Sequence, residues 1–456
     1  EPQDPPGPGT DPAKPPATVT RSGSRLGGLF FTGWLMVLAG SPAAAQVKRV
    51  PLLANGQVWA QFGAQNRTRI EIWRNVGFGD PHNDDDAYIL NRLLVRADLH
   101  LGRRIKTVVE IKSAVLTDRD LPGGRRPSDA DDLDFQNAYL ELELPSGKNG
   151  AIGLRGGRQE LLFGHQRLVS PLDWTNTRRT FDAVRGTVRA GSWTLDGLLA
   201  QPVRILKSQI NRRDRGTDLL GVYAVKKSGR TPAMDLYWLV LIRDSATVNG
   251  TTGRETRHTV GGRLSGGTAK LDYDLEATYQ FGTLGTGSIS AGMVAADLGL
   301  GFPTASASPQ LRLGVDVASG DGSEGGDVET FNQLFPLGHA FLGFIDAVGR
   351  QNIVGVNAGV RLRRAPIGQV DMTAHRFWRL STADALYNAT GQVERGPGVA
   401  AAANVGTEID LTVRSSLGRH VVTLVGYSRL WPGGFVRQTG AADAIGFAHG
   451  SLQITY

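Results

Sequence analysis

The segment RIKTVVEIKSAV, beginning at Arg104, alternates. Ile105, Thr107, Val109, Ile111 and Val115 take one parity, and Arg104, Lys106, Glu110 and Lys112 take the other. In an extended chain successive side chains point to opposite faces, so these sets lie on opposite sides of a sheet. The run from Arg92 behaves alike, with Leu93, Val95, Ala97, Leu99 and Leu101 against Arg92, Arg96, Asp98 and His100. In LDFQNAYLELEL, Ala138, Leu140, Leu142 and Leu144 oppose Asn137, Tyr139, Glu141 and Glu143. The pattern predicts 18 strands, at 64–75, 87–101, 103–117, 133–145, 151–163, 180–190, 192–203, 217–228, 233–243, 257–266, 268–281, 287–300, 308–318, 351–364, 367–379, 404–417, 419–430 and 443–456. Such strands exceed the roughly five or six residues usual in soluble sheets and match the ~9 to 11 that cross a bilayer.

The connections divide into short and long. LGRR, PSGKNG, RAGSW and LSGGTAK are short, whereas 80–86, 122–132, 205–217, 320–349 and 381–404 are long. Short turns on one side and long loops on the other characterise outer-membrane barrels. The final HGSLQITY places Leu452, Ile454 and Tyr456 on one face and ends on an aromatic residue. Seven tryptophans (Trp59, Trp73, Trp174, Trp193, Trp238, Trp378 and Trp431) fall mostly near strand ends, where aromatic girdles sit. The expected fold is an all-β, transmembrane antiparallel β-barrel of about 18 strands, with 16 the nearest alternative. Its sheet must close, because an open edge in hydrocarbon leaves backbone groups unpaired.

The start of the chain reads differently. Residues 1–20 are rich in Pro, Gly and Thr and are expected to be a disordered extension. Residues 21–45 carry Arg21, Arg25, an apolar run and the small-residue end SPAAAQ. Those features predict a secretory signal peptide cleaved after Ala45. Residues 46–456 then form a single barrel domain in the outer membrane of a Gram-negative bacterium.

Composition narrows the chemistry. The net charge is +7, with 41 arginines and nine lysines among 456 residues. The basic residues are dispersed and no nucleic-acid-binding motif occurs, so nucleic acid is not an expected partner. Cysteine is absent, which removes disulfides and thiolate metal sites. No cofactor or metal motif is present. His339, Asp346 and Asn352 share one block, but no G-x-S-x-G accompanies them; the block is expected to be a packed loop that plugs or gates the barrel, not a catalytic site. The acidic runs DPHNDDD and DADDLD lack the EF-hand order and are read as solvated loops.

Two long blocks carry a resemblance. GGRQELLFGHQRLVSPLDWTNTRRTFDAVRG, from Gly156, and DVASGDGSEGG followed by FNQLFPLGHAFLGFIDAVGRQNI are similar to the signature blocks of the alginate-export family of outer-membrane barrels. Ala183 stands where that pattern has glycine. The resemblance spans essentially the whole mature chain. It implies an arginine-lined, electropositive channel closed by loops, and export of an acidic polysaccharide such as alginate.

By alternation the pore-lining candidates are Arg92, Arg96, Lys106, Lys112, Arg158, Arg185 and Arg376, with Glu160 and Asp182 among the acids that pair with them. Arginine forks suit carboxylates. Leu162 and its apolar neighbours are expected to face lipid, and SPLDWTNTRR to fold back over the pore. The expected function is non-enzymatic: passive diffusion of anionic solutes, chiefly an exported acidic polysaccharide. The alternatives are a substrate-selective porin importing small organic anions and, from a different class, a barrel enzyme or adhesin acting through its loops. The expected partners are outer-membrane lipid, the anionic solute and periplasmic export components.

Overall fold

The computed structural model describes residues 49–456 apart from 54–55, 81–83, 148–149, 207, 228–231, 304–306, 365–366 and 399–401. The extension and the signal segment therefore lie outside the described residues, as does most of DPHN within the first acidic run. The barrel strands are β1 (Val58–Arg74), β2 (Asp86–Leu101), β3 (Ile105–Leu116), β4 (Asp131–Ser146), β5 (Gly150–Gln159) and β6 (Phe181–Ala190). Then come β7 (Trp193–Arg204), β8 (Thr217–Lys226), β9 (Ala233–Val248), β10 (Thr251–Gly267), β11 (Leu271–Leu284) and β12 (Gly287–Gly301). The last six are β13 (Gln310–Ala318), β14 (Ile353–Arg364), β15 (Gly368–Trp378), β16 (Asn404–Leu417), β17 (Val421–Pro432) and β18 (Ile445–Thr455).

Each strand pairs antiparallel with its neighbours in sequence, and β18 returns to β1 through Gln65↔Thr455 to Arg74↔Gly446. The result is a closed 18-stranded barrel. At the seam Ala64 and Tyr456 exchange backbone hydrogen bonds of 3.1 and 2.8 Å, and below them Val50 and Pro51 pair with Ala60 and Trp59. This segment covers the part of β1 that β18 is too short to reach, so fewer edge groups stay open.

The two faces sort by chemistry. Leu93, Val95, Val109, Ile111, Leu140, Leu199, Val294 and Leu313 are exposed on the outside. Trp193 and Trp431 are also exposed there at strand ends, and Trp238 within β9. The inner parity carries Arg67, Arg69, Glu71, Arg92, Asp98, Glu110, Lys112 and many further buried polar groups.

What buries them is two long loops folded into the barrel. Residues 160–180, between β5 and β6, and 319–352, between β13 and β14, meet in a parallel bridge at Val169 and Phe335. Ser170 donates to the Phe335 carbonyl at 2.9 Å, and Phe335 donates to Leu168 at 2.8 Å. A short helix, α1 (His339–Leu342), sits in the second loop. Leu161, Phe163, Leu168, Trp174, Phe331, Phe341 and Leu342 pack with Tyr223, Leu239, Met293 and Phe377 of the wall into one apolar cluster. The hydrophobic core of this protein thus lies inside the barrel, as a plug. A third loop, 379–403, rests on it: Gly349 donates to the Tyr387 carbonyl at 2.7 Å.

Three expectations change. The strand predicted over 151–163 ends at Gln159, and Leu161 and Phe163 turn inward into the plug core instead of facing lipid; Leu162 alone of that group remains exposed. The strand predicted over 233–243 runs on to Val248 past an irregularity between Arg243 and Ala246. Trp73 and Trp174 are not girdle residues: Trp73 stacks on Phe447 at 3.9 Å, and Trp174 is buried in the plug.

The sidedness predicts a depth-dependent response to charge. Val294→Arg, on the outer face in the middle of β12, should lower stability by about 2–4 kcal/mol, and Leu300→Arg near its end by only about 0–1 kcal/mol. Denaturant titration in lipid vesicles measures both.

Candidate functional site: the channel interior

The plug is held by charges reaching in both directions. From the plug, Arg167 is fully buried and its guanidinium meets Asp274 at 2.6 Å, Glu276 at 2.9 Å and Asp297. These acids come from β11 and β12. Arg263 of β10 continues the network to Asp274 and, at 2.9 Å, to Asp235. Tyr223 donates to Asp235 at 2.9 Å and Tyr237 to Glu276 at 2.8 Å. Arg350, from the other plug loop, pairs with Asp316 of β13 at 2.7 Å. Arg167 and Arg350 each lie 5.0 Å from the Phe341 ring.

From the wall, Arg67 donates to the carbonyls of Asp173 and Trp174 at 2.7 and 2.9 Å. Arg92 takes the Asp173 carboxylate at 2.8 Å, and Lys112 donates to the Thr177 carbonyl at 2.9 Å. Opposite, the Glu408 carboxylate of β16 accepts the Ile345 N–H at 3.0 Å. Gly343 passes so close to that carboxylate, at φ +89°, that a Cβ would overlap it. Removing one partner of such buried pairs leaves an uncompensated charge, so each tie resists release.

Two plug residues give the docking a pH dependence. Burial presses the His165 imidazole down to about 4, so it is neutral in the docked loop. Burial alone would raise the Asp173 carboxyl, but Arg92, Arg178 and Arg67 overcome that and hold it well below the usual carboxylate range.

The sequence-predicted residues separate into groups. Arg96, Lys106 and Arg185 face the lumen: Arg96 and Lys106 share Asp98 at 2.6 and 3.2 Å, and Arg185 grips Asp196 through two bonds of 2.9 and 2.7 Å. Arg92 and Lys112 also face inward, but Arg92 is paired with Asp173 of the plug, and Lys112 with Asp131 of β4 and the Thr177 carbonyl. Glu160 lies past the strand end and turns inward, accepting from Gln136 and Arg178 at 2.6 Å each; burial raises its carboxyl above the ordinary value.

Arg376 is not pore-lining, and Arg158 and Asp182 stand at strand ends rather than along the bore. The register sets Arg158 opposite Ala138 and Asp182, on the parity of the exposed Ile152, Leu154 and Val184, whereas Arg155 and Arg185 take the inner parity. Arg158 closes the notch where β5 and β6 stop, pairing with Asp134 and Asp182 at 2.9 Å each and donating to the Asn211 carbonyl at 3.0 Å. Gly156 and Gly157 leave no side chains there from which the phase could be read. Arg376 is exposed on the outside, beside Val356 in the ladder, donating to the Thr407 hydroxyl at 2.7 Å and lying 5.5 Å from the Trp378 ring.

The second acidic run is also corrected: Asp129, Asp131 and Asp134 are buried and paired with Arg126, Lys112 and Arg158, not solvated. His165, Asp274 and Asp297 come close enough together to suggest a cation site, but the Arg167 guanidinium already bonds both carboxylates. His339 packs edge-on to Trp174, with ring centroids 4.7 Å apart, and stacks on Phe344 in the plug.

An arginine patch was missed. Arg312, Arg361, Arg363 and Arg414 lie on the inner parity of β13, β14 and β16, linked through the rows Gln310↔Arg361 and Arg363↔Gln369↔Arg414. Three carboxylates lie among them: Asp371 pairs with Arg361, Asp272 accepts from Gln310, and Asp297 lies near Arg312. The alternation of Val360, Arg361, Leu362 and Arg363 held the signal.

A closed barrel with an apolar belt outside, charges inside and loops folded into its bore defines a channel protein of the bacterial outer membrane. The chain belongs to the alginate-export family, whose sequence profile matches residues 58–445. No curated protein matches it at a significant level. Solved porin structures share the fold at low identity. OccK2 (OpdF) of Pseudomonas aeruginosa in complex with glucuronate has a TM-score of 0.58 at 9% identity, covering 87% of this chain and 97% of that one. A BenF-like porin from Pseudomonas fluorescens Pf-5 has a TM-score of 0.55 at 9% identity, covering 87% and 99%.

Two outcomes test the plug account. Arg167→Leu should weaken docking by about 3–5 kcal/mol, read as faster proteolysis within 160–180. Acid should do the same in two stages. The undocked loop holds its His165 proton up to about 6.5, so protection falls as pH drops from there towards 4. The Asp173 contribution is present above about 3.9 and fades below it. His165→Gln should shrink the upper stage and leave the Asp173 stage intact; protection that stays constant down to pH 4 contradicts the assignment.

Proposed function

We propose that this protein is a passive, anion-preferring channel of the Gram-negative outer membrane, and that its main solute is an acidic polysaccharide of the uronate class leaving the cell. The reading rests on the patch of Arg312, Arg361, Arg363 and Arg414, where four guanidiniums gather on β13, β14 and β16 among Asp272, Asp297 and Asp371. A polyanion moves through a pore by exchanging weak contacts among several cations, favourable enough to enter and weak enough to leave. Planar guanidinium forks suit carboxylates in two-point contact. Delivery of the polymer to the short-turn mouth falls to periplasmic export components.

The second reading is import of small organic anions. Glucuronate, carried by OccK2 in its crystal structure, is a single sugar acid, and that fold neighbour supports the smaller solute. The arginine patch suits either. The channel reading is non-enzymatic, in keeping with His339 and Asp346 being packed into the plug 3.4 Å apart.

Single-channel recording in planar bilayers separates these. A salt gradient should give a reversal potential of anion preference. Arg361→Gln with Arg363→Gln should reduce that preference, by up to about fivefold per charge, the ~1 kcal/mol of a unit-charge contact in water. Arg376→Gln should leave it unchanged. Block by uronate oligomers but not by small dicarboxylates favours the polymer, and the reverse favours import. An anion preference that survives loss of both arginines overturns the reading.

A further inference from the structure

The two rims of the barrel differ in charge. On the long-loop side exposed cations sit beside exposed acids, as in Arg74 with Asp85, Arg125 with Asp132 at 3.1 Å and Arg254 with Asp244 at 3.3 Å. At the short turns the one such exposed pair among the described residues, Arg189 with Glu143, lies on the inner parity of β4 and β6, and the turns themselves carry cations. Arg103 and Arg104 fill the turn between β2 and β3, and Lys226 and Lys227 lead out of β8. Lys270 precedes β11, Arg364 closes β14 and Arg419 lies between β16 and β17. All are exposed, and none of the described turn residues on this side carries a carboxylate.

These cations share a height. Leu101 and Ile105, both exposed on the outer wall, flank the Arg103–Arg104 pair. Leu271 follows Lys270, Leu362 and Ile367 bracket Arg364, and Leu417 stands two residues before Arg419, all exposed. The Lys226 ammonium lies 5.6 Å from the ring of Trp193, and Arg49 4.5 Å from that of Trp59. Each charge therefore stands where the apolar belt ends. A phospholipid phosphate lies at that level, and basic side chains beside a membrane draw anionic headgroups.

We propose that this belt binds anionic phospholipids of the leaflet on the short-turn side and gathers them around the barrel. The cations project from turns spread around the circumference, each at the margin of the lipid-facing band. That arrangement suits an annulus of lipids, which surrounds the barrel, better than a docked acidic protein, which would cover one arc or the end face. The chemistry is charge-assisted hydrogen bonding of guanidinium and ammonium groups to phosphodiester oxygens.

The test uses the full chain refolded into phosphatidylcholine bilayers with trace spin-labelled phosphatidylglycerol or phosphatidylcholine. The motionally restricted fraction gives a relative association constant for each lipid. Wild type should prefer phosphatidylglycerol at low salt, by up to about fivefold per cation engaged, and the preference should decline as salt screens it. A belt variant, R103Q/R104Q/K226Q/K227Q/K270Q/R419Q, should show none. A control on the opposite rim, R74Q/R212Q/R213Q, should keep it. Equal association of both lipids with wild type overturns the proposal, and so does a preference that ignores salt, persists in the belt variant or disappears in the control. The wild-type salt titration decides the matter even where a variant folds poorly.

Discussion

Hydrocarbon offers no partner to a backbone N–H or C=O, so every such group inside the bilayer must be paired within the protein. This constraint organises the rest. It requires β18 to return to β1, and it gives the short Val50–Pro51 segment its place beside the seam. It also dictates where a hydrophobic core can go. In a soluble protein apolar residues face inward; here the outward apolar face is committed to lipid, and the bore must be filled or left wet. Residues 160–180 and 319–352 fill part of it, carrying Leu161, Phe163, Phe331 and Phe341 into a cluster that the strands alone could not make.

A plug inside a charged tube needs ionic fastening, and the ties run both ways. Arg167 and Arg350 leave the plug to find wall acids, while Arg67, Arg92 and Lys112 leave the wall to find plug carbonyls and Asp173. Reciprocal ties fix orientation as well as position, because a rotated plug would set like charges against each other. The abundance of arginine then has two explanations. One set is consumed in fastening. The other, including Arg361 and Arg363, gathers on the inner parity of β13, β14 and β16, where Arg361 is buried against Asp371.

Much of this was legible in the sequence, and the failures are local. Strands β2, β3 and β4 could be phased because charged and apolar residues alternate over ten positions or more. The family blocks marked the plug, and FNQLFPLGHAFLGFID is too apolar for a loop in water. Phase is unmarked at Gly156 and Gly157, which carry no side chain to show a face, so the place of Arg158 and Asp182 at the strand ends could not be read. Arg376 was assigned inward by alternation, although it shares parity with the exposed Met372. Partners could not be read at all: Arg92 finds Asp173 across 81 residues, and Arg167 finds Asp297 across 130, by a fold-back that no local pattern encodes.

The claim beneath all of this is which way each strand faces. Because the chain has no cysteine, single cysteines can be placed along β3 and spin-labelled without background. Labels at Thr107, Val109 and Ile111 should collide with oxygen dissolved in the bilayer, and one at Lys106 should instead meet a water-soluble nickel complex. The same accessibility at every position, or the opposite alternation, would contradict the account.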